Sequence, residues 1–509
     1  MTRARNRGIQ IDEELDIVLG EGVLHMPFTA RIGVAVVACA LALPIAAQIP
    51  SDLEQHIQHV TAGLIDGVVP RGEEHPAHTL VDRMKELNVP GVSVAVIHNG
   101  RIEWARGFGE RSIGGLPVNA ETMFQAGSIS KPLAAMACLR LVQEGKLALD
   151  TDVNTYLLTN WKFPSDPAAQ GKPITLRELL THTAGTTVHG FSGYASTAPV
   201  PTLVQVLNGE KPANTPPIRS EAVPGTGWNY SGGGYTIMQE VLLDVTKEPF
   251  PTLLHDTVLA PIGMTRSTYA QPLPQNLREN AATPYRRDGK PVEGGAHTYP
   301  EMAAAGLWTT PTDIARYAIE LRRSLNGQAN HVLSPEITKQ MLTPVMGHYG
   351  LGLEIGGSAS NPYFAHGGVN EGFVNNFAMY ETSGNGFVVM TNGDNGGLLG
   401  DEIMHSIANE YNWPDFRPTV RASIQVDPKV LETYAGFYES KDFNEVITVE
   451  NGQLMGKAFG QRFPLYAESE TRFFFTVIPG DFDFVKDQQG NVTSLVLHQN
   501  GQDMKALKK

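Results

Sequence analysis

The sequence predicts an α/β (α+β) sandwich, a mainly antiparallel sheet flanked by helices, followed by a second, small all-β barrel-like domain. Three observations carry that prediction. Strand-like runs stand at both ends of the first 420 residues with helix-like runs between them, the order that suits a sheet assembled from both ends of a domain. After about residue 420, alternating strands separated by Asn451-Gly452 and Gln489-Gly490 turns take over. The composition, 41% hydrophobic and 18% charged over 509 residues, is that of a globular chain long enough for a large core and more than one domain.

The N-terminus reads as an address. Ile32 to Leu43 is an unbroken apolar run, preceded by Arg31 and followed by Pro44, Ala46 and Ala47. It is shorter than the roughly 20 apolar residues that cross a bilayer, and its charged front and small-residue exit are those of a secretory signal cleaved near Ala47. Met26 marks an alternative start after a charged first segment; a single membrane anchor is the rival reading. The expected division is therefore 1–47 leader and signal peptide, 48–420 main domain and 421–509 β domain. The expected location is secreted or periplasmic, with no stable membrane span after cleavage.

"GVSVAVIH" and "RIEWARGF", between residues 91 and 108, read as two strands around an Asn99-Gly100 turn. "SISKPLAAMACLRLVQEGKLAL" turns helical near Ser128, because Pro132 is tolerated only in a first turn. "TLRELLTHTAG" reads as a short helix ending at Gly185, and residues 191–226, rich in Pro, Thr, Ser and Gly, as an irregular segment over a cleft. "GGYTIMQEVLLDVTK" is a helix, 375–393 a second hairpin turning at Ser383 to Asn385, and "EIMHSIANEYN" a closing helix. In the β domain only "DPKVLETYAG" looks helical, and Phe473 to Phe475 read as its core.

A serine hydroxyl needs a neighbouring base and oxyanion donors before it attacks a carbonyl. Residues three apart lie on one helix face, so Ser128 and Lys131 present hydroxyl and amine side by side. The helix start points unpaired N–H groups and partial positive charge at them. A buried lysine loses its charge by desolvation and becomes a proton acceptor. "NYSGGGY" at 229–235 sets Tyr230 before a Gly-rich helix start, where a phenol hands protons on. "AHGGVNEGF" at 365–373 brings paired glycines just ahead of the strand at 375–380, where a substrate lies against an edge strand and a backbone N–H is freed for an oxyanion. Each element alone has a plain structural reading: a helix cap, a tyrosine under a turn, a loop histidine.

In that order the set resembles the serine β-lactamase and penicillin-binding-protein superfamily, most of all its class C-like branch of D-amino-acid peptidases, low-molecular-weight carboxypeptidases and family VIII carboxylesterases. "GSISK" looks like the first motif, "YSG" the tyrosine motif, "HGG" the third-strand motif and "LLTHTAG" a loop signature of the branch, together spanning roughly residues 75–410. The region after 420 resembles the lipocalin-like domain some members carry. The resemblance implies Ser128 as acylated nucleophile, Lys131 as its base and Tyr230 as proton carrier. It sets His366 and Gly368 on the third wall and the N–H groups of Ser128 and Val369 at the oxyanion. Two departures stand out: Gly232 where the tyrosine motif carries asparagine, and His366, mostly neutral at pH 7, where typical β-lactamases carry lysine.

The expected activity is a secreted serine acyl hydrolase working through an acyl-enzyme on small esters or amides, with carboxylesterase ahead. The alternatives are a D-amino-acid peptidase or D-alanyl carboxypeptidase, a weak β-lactamase, or a non-catalytic penicillin-binding or sensing module. No metal or organic cofactor is required, and the partner is a small ester, amide or peptide substrate. The net charge of −14 repels phosphate backbones and sets nucleic acid aside. Two cysteines, Cys39 and Cys138, build neither a disulfide framework nor a cysteine zinc site; Cys138, in an apolar run, reads as packing. Glu73, Glu74, His75 and His78 read as a solvated segment rather than a metal site, and His182 as a structural hydrogen bonder. No pattern in the sequence speaks to the oligomeric state.

Overall fold

A computed structural model of the chain describes residues 51–72, 77–158, 161–328, 331–441, 443–458, 461–478, 480–499 and 502–509. The leader and signal reading, Cys39, and Glu73, Glu74 and His75 lie outside the described residues; the His78 backbone pairs with that of Leu64. Among the described residues no helix is long and apolar enough to cross a membrane.

In chain order the strands are β1 (Val68–Arg71), β2 (Gly91–His98), β3 (Arg101–Gly109), the short pair β4 (Phe124–Gln125) and β5 (Trp308–Thr309), β6 (Glu354–Ser358), β7 (Asn361–Asn370), β8 (Phe373–Tyr380), β9 (Gly386–Thr391) and β10 (Thr419–Ala422). Eight more strands follow between Gly436 and Lys508. The longest helices among the described residues are α1 (Ser130–Gln143), α2 (Gly232–Thr246), α3 (Pro311–Leu325) and α4 (Gly396–Glu410).

The main sheet has the order β3-β2-β9-β8-β7-β6, antiparallel throughout, so strands from both ends of the domain meet at the β2–β9 pair. β2 is buried along nearly its whole length because both faces are covered. Ala95, Ile97, Phe377, Met379, Val388 and Met390 face the large helical core with α1, α2 and α3. On α4, Leu399, Ile403 and Ile407 are buried outside that core cluster, and the helix packs on β8 and β9. The β2–β3 turn is made by Asn99 and Gly100, both at positive φ as a two-residue hairpin turn demands.

Eleven of the fourteen residues of α1 are buried, which makes it a core helix rather than an amphipathic one. A 3₁₀ turn at Gly127–Ile129 leads into it, and Pro132 falls in its first turn as expected. α2 is N-capped by Ser231, whose hydroxyl accepts from the Gly234 N–H. The helix of "TLRELL" carries a Thr175–Glu178 capping box but ends at Leu180, short of Gly185. It stops there because the chain turns through His182 at φ 59°, while Gly185, at φ 62°, passes so close to Ala222 that a Cβ would lie 2.7 Å from its carbonyl oxygen. The segment 191–226 is irregular apart from a helix at Leu203–Asn208. "AHGGVN" is not a loop before a strand: it lies on β7, paired to β8 along its length, whereas β6 covers only Asn361 to Ala365. The stretch from His366 to Asn370 thus keeps one flank clear of strand pairing, which is what an edge would have offered.

The C-terminal strands close into an eight-stranded barrel. Its interior is filled by aromatics: Phe473 packs against Phe484 and Tyr434, and Phe475 against Phe482. Phe474 points the other way, onto Tyr466 and beneath the Arg421 guanidinium, following the two-residue alternation of a strand. β10, which carries Arg421, pairs in parallel with β1.

Candidate active site

Two close backbone approaches build the site. At the start of α1, Gly127 adopts φ 55°, and a Cβ there would meet Val369 N at 2.5 Å. On β7, a Cβ on Gly368 would lie 1.9 Å from the Ala126 carbonyl oxygen. Only glycine at both positions lets the helix start and the strand touch. That contact brings the backbone of Ser128, at a helix start with N–H groups unclaimed by the helix, beside that of Val369.

The Lys131 amine lies 2.9 Å from Ser128 Oγ and donates to the Ala304 carbonyl at 2.8 Å. It is 2% exposed, and burial pushes its pKa down to about 7. Tyr230 closes the triangle: the Lys131 amine stands 4.9 Å from its ring centre, and the Ser128 side chain is near enough to act on its hydroxyl. Burial holds the phenol well above its ordinary pKa, opposed by the neighbouring Ser128. The three groups that the motifs name, two from one helix turn and one a hundred residues on, therefore meet at one point.

Behind them runs a buried chain of hydrogen bonds whose proton positions are fixed by chemistry. The Ser231 backbone N–H donates to His182 Nδ1 at 3.1 Å, so that nitrogen is bare and Nε2 carries the proton. At the other end His366 Nδ1 lies 2.5 Å from the Gly367 carbonyl, which only accepts, so Nδ1 carries the proton and Nε2 is bare. Between them the Tyr349 hydroxyl, 3.3 Å from His182 Nε2 and 2.9 Å from His366 Nε2, accepts from the first and donates to the second. Every donor has one acceptor; a second proton on His182 would face the Ser231 N–H, and one on His366 would leave the Tyr349 O–H without its acceptor. Both imidazoles are therefore neutral. Burial, and next the charge of Lys131, drives their pKa values down, His366 to about 3. The His182 ring packs against Tyr230 at 4.2 Å between centres, so this chain also holds the phenol in place.

Gly232 stands two residues after Tyr230. It is buried as the first residue of α2, and a Cβ there would lie 2.9 Å from Phe191 Cε2. The aromatic ring occupies the space a side chain at 232 would enter. Phe191 and Val369, the latter 64% exposed, line a cavity of about 300 Å³ whose far side carries Arg286, Glu371 and Asp394. Arg286 pairs with Glu371 and lies 3.6 Å from Asp394.

Sequence reasoning left out Tyr349, Ala304 and Phe191, none of which stands in a motif, and it gave no role to Gly127, the first residue of "GSISK". It placed His182 as a structural hydrogen bonder, which it is, though in contact with Tyr230. Cys138 is buried within α1, and burial raises its thiol to about 12. The carboxyl of Glu301, just before the short helix that supplies the Ala304 carbonyl, is buried with no hydrogen-bond partner for either oxygen among the described residues, and burial raises its pKa to about 8.

A beta-lactamase family model matches residues 77–408, and a domain of unknown function, DUF3471, matches residues 420–508. PbpX of Bacillus subtilis (strain 168) is 28% identical over 322 residues, covering 62% of this chain and 74% of that one. Esterase EstB of Burkholderia gladioli is 29% identical over 217 residues, covering 41% of this chain; the match spans 53% of EstB. Among solved structures, the octameric penicillin-binding protein homologue from Pyrococcus abyssi shares the fold with a TM-score of 0.58 at 21% identity, over 84% of this chain and 97% of that one.

Proposed function

The chain belongs to the beta-lactamase family, and from that premise we propose that it is a serine acyl hydrolase acting through an acyl-enzyme on small esters or amides, foremost as a carboxylesterase. The observation that carries this reading is the convergence of Ser128, Lys131 and Tyr230 around an amine with a pKa of about 7. A neutral Lys131 takes the Ser128 proton as Oγ bonds to the substrate carbonyl carbon. The carbonyl oxygen gathers the negative charge and is held by the N–H groups of Ser128 and Val369. The C–O or C–N bond to the leaving group breaks as Tyr230 protonates the departing atom, and the Lys131 proton refills the phenol. Water then attacks the acyl carbon, giving its proton along the same path, and Ser128 leaves with a proton restored. No step calls for a metal.

The likeness to esterase EstB supports an ester substrate, and the apolar Phe191–Val369 wall suits an acyl group without hydrogen-bonding demands. The apolar run and exit site at 32–47 support export from the cytoplasm as part of the same proposal. The test is turnover of para-nitrophenyl esters and of a D-alanyl peptide, with intact-mass detection of a fluorophosphonate adduct on the native chain and on Ser128→Ala. Ester hydrolysis and an adduct lost in the variant are expected. Absence of both in the native chain sinks the reading.

A further inference from the structure

We infer that the leaving-group side of this site selects uncharged leaving groups and discriminates against any that carry a carboxylate. The inference rests on the acyl-hydrolase reading and deepens it. If the carbonyl oxygen lies between the N–H groups of Ser128 and Val369, the departing atom must lie at its proton source, the Tyr230 hydroxyl. What surrounds Tyr230 therefore surrounds the leaving group, whereas the cavity of Phe191, Arg286, Glu371 and Asp394, beyond Val369, lies on the acyl side.

Around Tyr230 stand His182 at 4.2 Å and His366 at 6.4 Å between ring centres, with Tyr349 between the two histidines. A carboxylate entering there needs a cation or a free N–H to replace its water. His366 supplies neither: its one ring proton is committed to the Gly367 carbonyl and its bare nitrogen to the Tyr349 hydroxyl. His182 is tied in the same way by the Ser231 N–H and Tyr349. Among the described residues, the buried amine in reach, Lys131, serves as base only while it is uncharged, so it is not a standing partner for an anion in the reactive state.

The remaining charges oppose an anion or are spoken for. Glu354, on β6, acts on both Tyr230 and Tyr349; burial raises its carboxyl above the ordinary range, and His348 stands against it as the opposing charge. His189, which contacts the Tyr230 carbonyl, lies 3.5 Å from the carboxylate of Glu221. The Trp228 ring, 40% exposed and 5.7 Å from that of His348, adds an apolar platform beside His182, 6.3 Å away between ring centres. An aromatic platform, two neutral imidazoles and an acidic lip fit a neutral alkyl or aryl alcohol; they do not fit a peptide or depsipeptide ending in a free carboxylate.

The experiment compares meta-acetoxybenzoate with its methyl ester, two acetates that differ in the charge of the departing phenol. The native chain is expected to prefer the methyl ester in kcat/KM by about 10- to 100-fold, the scale of one mismatched polar group in a binding site. The methyl meta-hydroxybenzoate product is expected to inhibit about tenfold more strongly than meta-hydroxybenzoate, a measurement that needs no variant. In His366→Lys the preference is expected to narrow towards unity. Equal or faster cleavage of the anionic ester by a native chain that a fluorophosphonate labels at Ser128 overturns the inference alone. A labelled His366→Lys variant with an unchanged ratio overturns the role given to His366. No turnover of either ester together with no labelling overturns the hydrolase reading, and this inference with it.

Discussion

The Lys131 amine is buried between Ser128 Oγ and the Ala304 carbonyl, and desolvation brings its pKa to about 7. The base form is the deprotonated one, so log kcat/KM for an ester should rise with pH, bend near 7 and level off above; a profile flat from pH 5 to 9 contradicts the assignment. Stability follows the same group with a defined sign. From about 7 to 10.5 the unfolded chain binds a proton that the folded chain has released, so this residue makes stability rise with pH across that window. Lys131→Met should therefore be inactive yet more stable at pH 7 by about 1–3 kcal/mol, with the advantage shrinking towards pH 10 in denaturant melts. Ser128→Ala should lose about a thousandfold or more in kcat while its melting midpoint stays put, because the half-buried hydroxyl carries chemistry and little packing.

The site depends on how closely a helix start and a strand approach. A methyl group on Gly368 collides with the Ala126 carbonyl, so Gly368→Ala should force α1 and β7 apart. The expected cost is about 1–3 kcal/mol in stability and about 10- to 100-fold in kcat, with KM changed less, since the donors to the carbonyl oxygen move relative to Ser128. The second close contact is between α2 and the irregular segment around residue 191. Gly232→Asn should be disruptive alone and tolerated with Phe191→Ala, with a coupling of about 1–3 kcal/mol in a double-mutant cycle; additive effects would mean that the ring and position 232 do not share that space. The element boundaries themselves were legible. The Asn99-Gly100 hairpin, the Pro132 helix start and the strand pair 375–391 all lie where local chemistry puts them. "AHGGVN" was legible as a strand only through its likeness to a third-strand motif, because paired glycines carry no strand pattern of their own until a neighbouring strand is known to hold them.

At the scale of the molecule, the first and last parts of the main domain are tied together by a buried ion pair. Arg83, before β2, donates through Nε to Glu402 Oε2 at 2.8 Å and through Nη2 to Oε1 at 2.6 Å; Glu402 lies on α4, after β9. Removing one partner leaves the other charge buried, so Glu402→Leu should cost about 3–5 kcal/mol in urea melts, while surviving folded protein keeps its kcat/KM. The barrel joins the same unit through backbone and side chain: Val68 N–H donates to the Thr476 carbonyl at 3.0 Å, and the Thr476 hydroxyl donates to Asp66 at 2.5 Å. Its interior is filled by Tyr434, Phe473 and Phe484, which suits a structural role for that filled part of the barrel.

By itself the sequence determined what depends on short range. Helical period places Ser128 and Lys131 one turn apart, Asn-Gly dipeptides turn hairpins, and the apolar run Phe473 to Phe475 marks the core of the β domain. The tertiary structure alone decided that Tyr230 reaches Ser128, that His182, Tyr349 and His366 share one proton chain, and that Phe191 fills the space beside Gly232. The reason is physical. Desolvation and hydrogen-bond direction are set by atoms brought from distant parts of the chain, so whether Lys131 is a base and whether His366 is neutral are properties of the packed interior, not of any local run of residues.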